Sequence, residues 1–584
     1  MTDYGGLSEQ AGSAPAEPAT SAAGNTMERL AGQRLILSER PGRVDLLRWH
    51  APWPLRVVRI RVHRNQPFEF VASALAPFLA FAGIEPSFEF GPYDDALSGV
   101  GEPRLPAADV ELIWLDFARY LGHLEPEAIA AWLADRVQAL RLGSPAPILV
   151  ADAVAGGDLA SNLNVLLRAA LNEVPGVYVV DQAAVSRDLG DAYVDARSER
   201  FAGSSMSDVA AIETARRFGL AWIPAVMAPR LKAIVLDLDD TIYDGVLGEV
   251  GPAALTLSKE RAALQGRLAE LADSGLLLAV LTRNDSKDVR RLFEERPDFP
   301  LRPGRFSAIE ASWRPKTEGM ATILEKLRIG PDSVIFLDDN PGELAAVVQG
   351  LPGIVPLHAA DAGQAIRGLR WYPGLAMLRA TREDCLRAAD IATGETRRAL
   401  ESTTSDPLAY LRSLEIRLEF ARSPVDQLDR IHELSLKTNQ FNTSFLRLSE
   451  TETAARLADP ASVVVTVSLK DRLSDSGVIG LIVARMEGES PIVDEVAISC
   501  RALGRGVEDA IVAEALRGTV GALPPDRIRF AYRPGPRNGP AREWLARMSG
   551  RPVEQPDVEV TWPRLEAARR TLAELVELVW REGR

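Results

Sequence analysis

In "AIVLDLDDTIYDG", residues 233–245, an apolar run breaks into Asp237, Asp239 and Asp240. Carboxylates packed so tightly repel one another and lose solvation when the run is buried, so something positive must compensate. A divalent cation with a phosphate is the natural candidate. Further polar groups follow in chain order: Thr282 with Arg283 and Asn284 closes "LLLAVLTRN", Lys316 opens "KTEGMATILEKL", and Asp338 with Asp339 closes "SVIFLDD". The set has the parts of a phosphoryl-transfer site. One carboxylate attacks phosphorus and a second protonates the leaving oxygen. A hydroxyl, backbone N–H groups and an ammonium hold the phosphoryl oxygens, and Mg²⁺, a hard cation, takes the remaining carboxylate oxygens. A lone Asp-x-Asp-x-Thr arises by chance; the ordered set is specific.

A second stretch, "ISCRALGRGVE", carries different chemistry. Its Arg501-x-x-Gly504-x-Gly506 pattern resembles the loop with which GNAT-type acyltransferases hold the pyrophosphate of coenzyme A. Glycines let the backbone approach an anion, and the helix that follows offers N–H groups and a positive dipole end. Cys500 stands just before this loop, beside Arg501 and near Arg505, a setting that favours a thiolate. The plain alternative is a buried cysteine at a strand end. Cys385, in "TREDCLRAAD", has no such setting and reads as structural. His432, Asn439 and Asn442 in "HELSLKTNQFNTS", and Asn538 in "YRPGPRNGP", could orient an acyl group or a pantetheine arm. They could equally cap helices and satisfy loop backbone.

The elements that position these groups are legible from periodicity. "LRVVRIRVHR" alternates Val58, Ile60 and Val62 with Arg59, Arg61 and His63, a half-buried strand whose basic side reads as a solvated face. "DVELIWLD", "APILVADA" and "GVYVVDQ" recur with helical stretches between them, so a parallel sheet flanked by helices closes near residue 225. A second α/β unit starts at "LKAIVLDLDD". Its helix "KERAALQGRLAELADSG" puts Leu264, Leu268 and Leu271 on one face and stops at Gly275. After a charged helical stretch come "ASVVVTVSL", "GVIGLIVARM" and "IVDEVAIS", close enough together to be antiparallel, in an α+β unit.

The totals fit this plan. At 584 residues, 46% hydrophobic and 25% charged, the chain is an ordinary globular protein of about three domains. A net charge of −14 argues against nucleic acid as a partner. Two cysteines point to a reducing cytoplasm, and no apolar run reaches the ~18 residues of a membrane span. The N-terminus lacks a signal peptide's basic and apolar regions.

The carboxylate set resembles the haloacid dehalogenase superfamily of aspartate-nucleophile phosphatases. Carried over by position, that resemblance implies a Rossmannoid parallel-sheet domain with Asp237 as nucleophile and Asp239 as general acid/base. It implies phosphate binding by Thr282, Arg283, Asn284 and Lys316, and Mg²⁺ held by Asp338 with Asp237 and the Asp239 carbonyl, assisted by Asp339. Between Thr241 and the next helix, "IYDGVLGEVGPAALTL" leaves room for a short flap and no cap domain, so a large or carrier-bound substrate would fit.

"LDLDDTIYDGVLGE", "RPKTEGM", "FLDDNPGE", "KTNQFNTS" and "ISCRALGRGVED" together resemble the FkbH-like proteins, subfamily IIIC, through residues 230–550 and more loosely from 55. Asp240, Tyr243 and Asp244 depart from the usual "DNTLWGG". The resemblance implies transfer of a glyceryl group from 1,3-bisphosphoglycerate to an acyl carrier protein in polyketide biosynthesis. Cys500 would carry the acyl group as a thioester, with Arg501, Gly504, Arg505, Gly506, His432, Asn439, Asn442 and Asn538 around the acyl group or pantetheine arm. The alternative is a phosphatase fused to a coenzyme A-dependent N-acetyltransferase. The expected layout is a disordered tail over 1–40 and a non-catalytic SGNH-hydrolase-like domain over 41–228, with "VHRNQPF" where Gly-Asp-Ser would stand. A phosphatase domain follows over 229–380, then a helical linker over 381–412 and a GNAT-like domain over 413–584.

Overall fold

Three sheets organise the chain. The computed structural model describes residues 21–581, apart from 94–96, 98–100, 102–104, 155–156, 197–202, 228–229, 380–385, 387–389, 392, 395, 398–399, 401–405, 489, 504 and 520–524. The first sheet holds β1 (Arg56–Arg64), β2 (Ile84–Phe90), β3 (Val110–Trp114), β4 (Ile148–Ala151) and β5 (Val177–Val180). Their order is β2-β1-β3-β4-β5, all parallel. Parallel neighbours need crossovers, which the helices Glu69–Phe81, Pro126–Gly143 and Asp158–Leu171 supply.

Val58, Ile60 and Val62 are buried on β1, as their alternation predicts. The basic side of that strand is not the solvated face expected: Arg61 and His63 are 4% and 3% exposed. A neighbour 48 residues or more away explains it. Glu111 on β3, wholly buried, accepts from Arg61 Nη1 at 3.1 Å and lies 2.9 Å from His63 Nε2. Burial alone would push the Glu111 carboxyl up, but the His63 and Arg61 contacts outweigh it and hold the group below its ordinary value.

The middle sheet contains β6 (Ala233–Leu236), β7 (Leu277–Thr282), β8 (Phe306–Ala311), β9 (Val334–Asp338) and β10 (Val355–His358). It is parallel throughout, in the order β10-β9-β6-β7-β8. Chain order reverses between β6 and β9, the position at which open α/β sheets bind ligands beyond their carboxyl ends. The helix Lys259–Asp273 starts on a Ser258 cap and buries Leu264, Leu268 and Leu271. Gly275, at φ +95°, turns the chain back into β7 where a Cβ would be strained.

Helix Ser21–Ile36 falls where the sequence reading places a disordered tail. The middle module supplies what the helix's own composition lacks: Leu30 is buried in that module's core, and Gln33 Nε2 donates to the Pro356 carbonyl at 2.7 Å. The first two modules also share apolar packing, as where Phe81 meets Tyr372 edge-on at 5.6 Å.

The third sheet has β11 (Arg417–Arg422), β12 (Phe441–Asn442), β13 (Ser462–Lys470), β14 (Asp475–Glu487), β15 (Ser490–Ile498), β16 (Arg527–Ala531), β17 (Asp557–Thr561) and β18 (Glu577–Trp580). β13, β14 and β15 are antiparallel, and β15 pairs parallel to β16 across the helix Glu508–Arg517. Much of the expected linker, Cys385 included, lies outside the described residues; its last part is the helix Pro407–Leu414. Among the described residues no helix is long and apolar enough to cross a membrane.

Candidate active site

β6 and β9 are neighbours in register, Leu236 beside Leu337, so the next residues, Asp237 and Asp338, emerge side by side. Both are buried. Lys316, the first residue of the helix Lys316–Leu327, reaches between them, with Nζ 2.8 Å from Asp237 Oδ2 and 2.5 Å from Asp338 Oδ2. One ammonium cannot neutralise two desolvated carboxylates. Burial, with repulsion from Asp239 added, pushes the Asp237 carboxyl up, and burial with repulsion from Asp237 pushes that of Asp338 up to about 7. Lys316 is also burdened by burial, yet the two carboxylates raise it above its ordinary value.

Asp339 joins them: Asp237, Asp338 and Asp339 each offer an oxygen within 4.8 Å of the others. Asp237 Oδ1 is buried without a hydrogen-bond partner. A buried carboxylate oxygen left open beside two more carboxylates is what a hard divalent cation would complete, so the donor set fits one.

The Asp239 carboxylate lies outside this trio; the ligand expected from this residue is its backbone carbonyl, which leaves the side chain to acid/base work. Its Oδ1 accepts from the Tyr243 hydroxyl at 2.7 Å and from Leu247 N at 2.9 Å; its Oδ2 accepts from Asn284 Nδ2 at 2.8 Å. Three donors on two oxygens aim the carboxylate as an acid/base group would need. Asn284 Nδ2 also reaches Thr282 Oγ1 at 2.9 Å, so these predicted residues do converge. Arg283 does not: its guanidinium turns to Glu343 at 2.9 Å, on the half-exposed rim.

The segment after Thr241 folds as the short flap expected, closed by a bridge between Asp244 and Thr256 and containing the short helix Leu247–Val250. Asp240, at φ +49°, accepts from Gly245 N at 2.8 Å, and Asp244 pairs with Arg261 at 3.1 Å. The added charges of this segment are thus engaged by the flap and by Arg261. Tyr243, singled out in the sequence only as a departure, has a direct part. Its ring is fully buried, stacked on Phe299 at 5.8 Å, and burial with the adjacent Asp239 drives the phenol far up, so it remains a donor.

Cys500 is half-buried and lines a cavity of about 100 Å³ between the middle and third sheets. Lys232 and Ser333, also in its wall, immediately precede β6 and β9. The cavity therefore opens on the amino edge of the middle sheet, whereas Asp237 and Asp338 sit on its carboxyl edge. Five strand steps separate Lys232 from Asp237, about 17 Å at ~3.3 Å per residue. The structure does not bring the sulfur to the carboxylates.

The residues expected around Cys500 divide. Arg501 and Asn439 line the cavity. Gly506, at φ +67°, makes the turn, and Gly504 is outside the described residues. Arg505 is instead buried in an ionic cluster, 2.9 Å from Asp390 and 3.2 Å from Asp471. Asn442 and Asn538 are buried and fasten loops: Asn442 Nδ2 donates to Glu495 Oε1 at 2.9 Å, and Asn538 Nδ2 to the Asn442 carbonyl at 3.0 Å. His432 faces a different cavity, with Tyr178, Arg379 and Glu450, and its Nδ1 is 2.7 Å from the Leu448 carbonyl. Glu495, unsuspected from sequence, organises this region: wholly buried, it also accepts from Ser435 Oγ at 2.7 Å and Leu446 N at 3.0 Å.

No protein-family model and no curated protein matches the chain. Among solved structures it is similar to the N-terminal part of a Bacteroides fragilis protein that contains a phosphatase domain, complexed with Mg. There the identity is 18% and the TM-score 0.46, over 59% of this chain and 98% of that one. A Mesorhizobium loti chain assigned as a HAD-like phosphatase matches at 15% identity and TM-score 0.19, over 24% of this chain and 87% of that one. A hypothetical protein of Xanthomonas campestris matches at 16% and 0.18, over 32% and 92%.

Proposed function

We propose that the chain is a Mg²⁺-dependent phosphoryl-transfer enzyme of the haloacid dehalogenase type, with Asp237 as nucleophile. The observation that carries this reading is the meeting of buried Asp237 and Asp338 on Lys316, with half-buried Asp339 beside them and Asp237 Oδ1 left open. Mg²⁺ held by these carboxylates would offset the charge of an incoming phosphate. The chain's own groups do the rest. Lys316 and Thr282 hold phosphoryl oxygens, Asp237 forms a bond to phosphorus as the ester P–O bond breaks, and Asp239 gives its proton to the leaving alkoxide. Asp239 then takes a proton from water as that water's oxygen displaces Asp237 from phosphorus. Tyr243 and Asn284 keep Asp239 in place throughout.

The sequence resemblance extends the reading to glyceryl transfer from 1,3-bisphosphoglycerate to an acyl carrier protein, with Cys500 as the acyl acceptor. The opposed positions of Asp237 and Cys500 bear on that scheme. A three-carbon acyl group on the sulfur cannot reach Asp237 across about 17 Å of strand, so the two steps occur on separately bound substrate or on a mobile carrier arm. Hydrolysis of p-nitrophenyl phosphate tests the phosphatase reading: it should require Mg²⁺ and vanish in Asp237→Asn. Intact-protein mass spectrometry after exposure to 1,3-bisphosphoglycerate, wild type beside Cys500→Ala, tests the second. An adduct only on wild type supports it, whereas turnover of acetyl-coenzyme A on an unmodified protein would favour the N-acetyltransferase alternative.

A further inference from the structure

Next to the carboxylates that fit a divalent cation stands a histidine that the phosphoryl-transfer scheme does not use. β10, an edge strand, pairs with β9 so that His358 lies beside Asp338. At this end of the pair, β10 takes the backbone carbonyls of both carboxylate residues. Ala359 N donates to the Asp338 carbonyl at 2.9 Å, and His358 Nε2 lies 2.9 Å from the Asp339 carbonyl. A carbonyl oxygen only accepts, so Nε2 carries the hydrogen of that bond. The imidazole fills a place that regular backbone pairing leaves open. Helix Pro341–Gly350 begins after its Asn340 cap, so the Asp339 carbonyl precedes the helix and takes no part in its ladder.

The strand that carries His358 is itself clamped. Gln33, 1% exposed on the helix Ser21–Ile36, donates from Nε2 to the Pro356 carbonyl at 2.7 Å and accepts from His358 N at 3.2 Å. One side-chain amide thus satisfies a donor and an acceptor on the free side of the edge strand, as a further strand would. Half-buried Asp339, by contrast, stands one residue past the end of β9, where the sheet ladder no longer fixes it. We propose that His358 is a positioning residue for the divalent-cation site: its imidazole fixes the Asp339 backbone, and with it the approach of the Asp339 carboxylate to Asp237 and Asp338. The proposal rests on the reading of these three carboxylates as the Mg²⁺ site. Groups that orient a metal ligand from behind typically change metal affinity by about 10–100-fold when removed.

The test is the Mg²⁺ affinity of the full-length chain, measured by titration calorimetry with no substrate present. His358→Phe keeps a ring and loses the donor, and should raise the Kd about tenfold or more. His358→Gln, whose amide nitrogen stands in for Nε2, should restore most of that loss. His358→Leu replaces the phenylalanine variant if that one does not fold. Thermal midpoints in EDTA are taken beside each titration, since a purely structural role would lower the midpoint and leave the Kd unmoved. Unchanged affinity in His358→Phe, or equal weakening in His358→Phe and His358→Gln, would overturn the proposal. Those two results leave the Asp237 reading standing, whereas a wild-type chain that takes up no Mg²⁺ would end both.

Discussion

Lys316 Nζ stands 2.8 Å from Asp237 Oδ2, and the same ammonium also serves Asp338. In the absence of a metal this lysine is the ion-pair partner that both buried carboxylates share among the described contacts. Lys316→Met would leave two buried carboxylates facing one another. Breaking a buried pair by removing one partner costs about 3–5 kcal/mol, so the thermal midpoint in EDTA should drop sharply. Millimolar Mg²⁺ should restore most of the loss, because the ion supplies the missing charge. Melting curves with and without Mg²⁺ check this; an equal loss in both conditions would contradict it.

Proton release should accompany Mg²⁺ binding. Burial raises the Asp338 carboxyl to about 7 in the metal-free protein, above its ordinary 3.8. A group raised on folding stabilises the fold fully below its unfolded value, and that contribution is lost as pH rises through about 7. A bound cation favours the ionised form, so Mg²⁺ affinity should grow from pH 6 to pH 8 with protons expelled. Titration calorimetry in buffers of different ionisation enthalpy measures the proton count directly, and its sign decides the matter.

Removing the Tyr243 hydroxyl should slow turnover without weakening substrate binding. Tyr243→Phe deletes one of three donors to Asp239 and leaves the stacked ring on Phe299 in place. Loss of one such hydrogen bond is worth about 1–1.5 kcal/mol, hence about tenfold in kcat with KM little changed. Steady-state kinetics on p-nitrophenyl phosphate separates the two constants.

Arg505 should matter for stability. It is 2% exposed and joins Asp390 and Asp471 in a cluster with Arg397. Burial opposes its charge and pulls its pKa down, while the two aspartates pull the other way. Arg505→Ala would leave Arg397 to serve both buried carboxylates, and the loss, approaching the about 3–5 kcal/mol of a broken buried pair, is measurable by urea denaturation. An unchanged midpoint would return Arg505 to the pool of anion ligands.

The middle module was legible because its signals are local. Strands such as "AIVL" and "VIFLD" are continuous apolar runs, and the residues that end them land on one sheet edge whatever the distant sequence does. That placed Asp237, Thr282, Lys316 and Asp338 together. What escaped the sequence depends on partners far along the chain. Arg61 and His63 are buried because Glu111 receives them, and Arg505 because Asp390 does, 115 residues away. The helix containing Leu30 forms against another module's core, which its Ala- and Gly-rich composition does not announce. Cys500 was placed correctly at a strand end before a glycine turn, but no local pattern could tell that the strand belongs to a sheet facing the wrong edge of the other.

The most direct test of the central claim is to trap the phosphorylated aspartate. Protein quenched during turnover with Mg²⁺ and p-nitrophenyl phosphate, then reduced with borohydride, converts an aspartyl phosphate to homoserine, which peptide mass spectrometry can place. The structure predicts homoserine at position 237, absent without Mg²⁺ and absent in Asp237→Asn. Homoserine at another aspartate, or Mg²⁺-dependent hydrolysis that persists in Asp237→Asn, would contradict it.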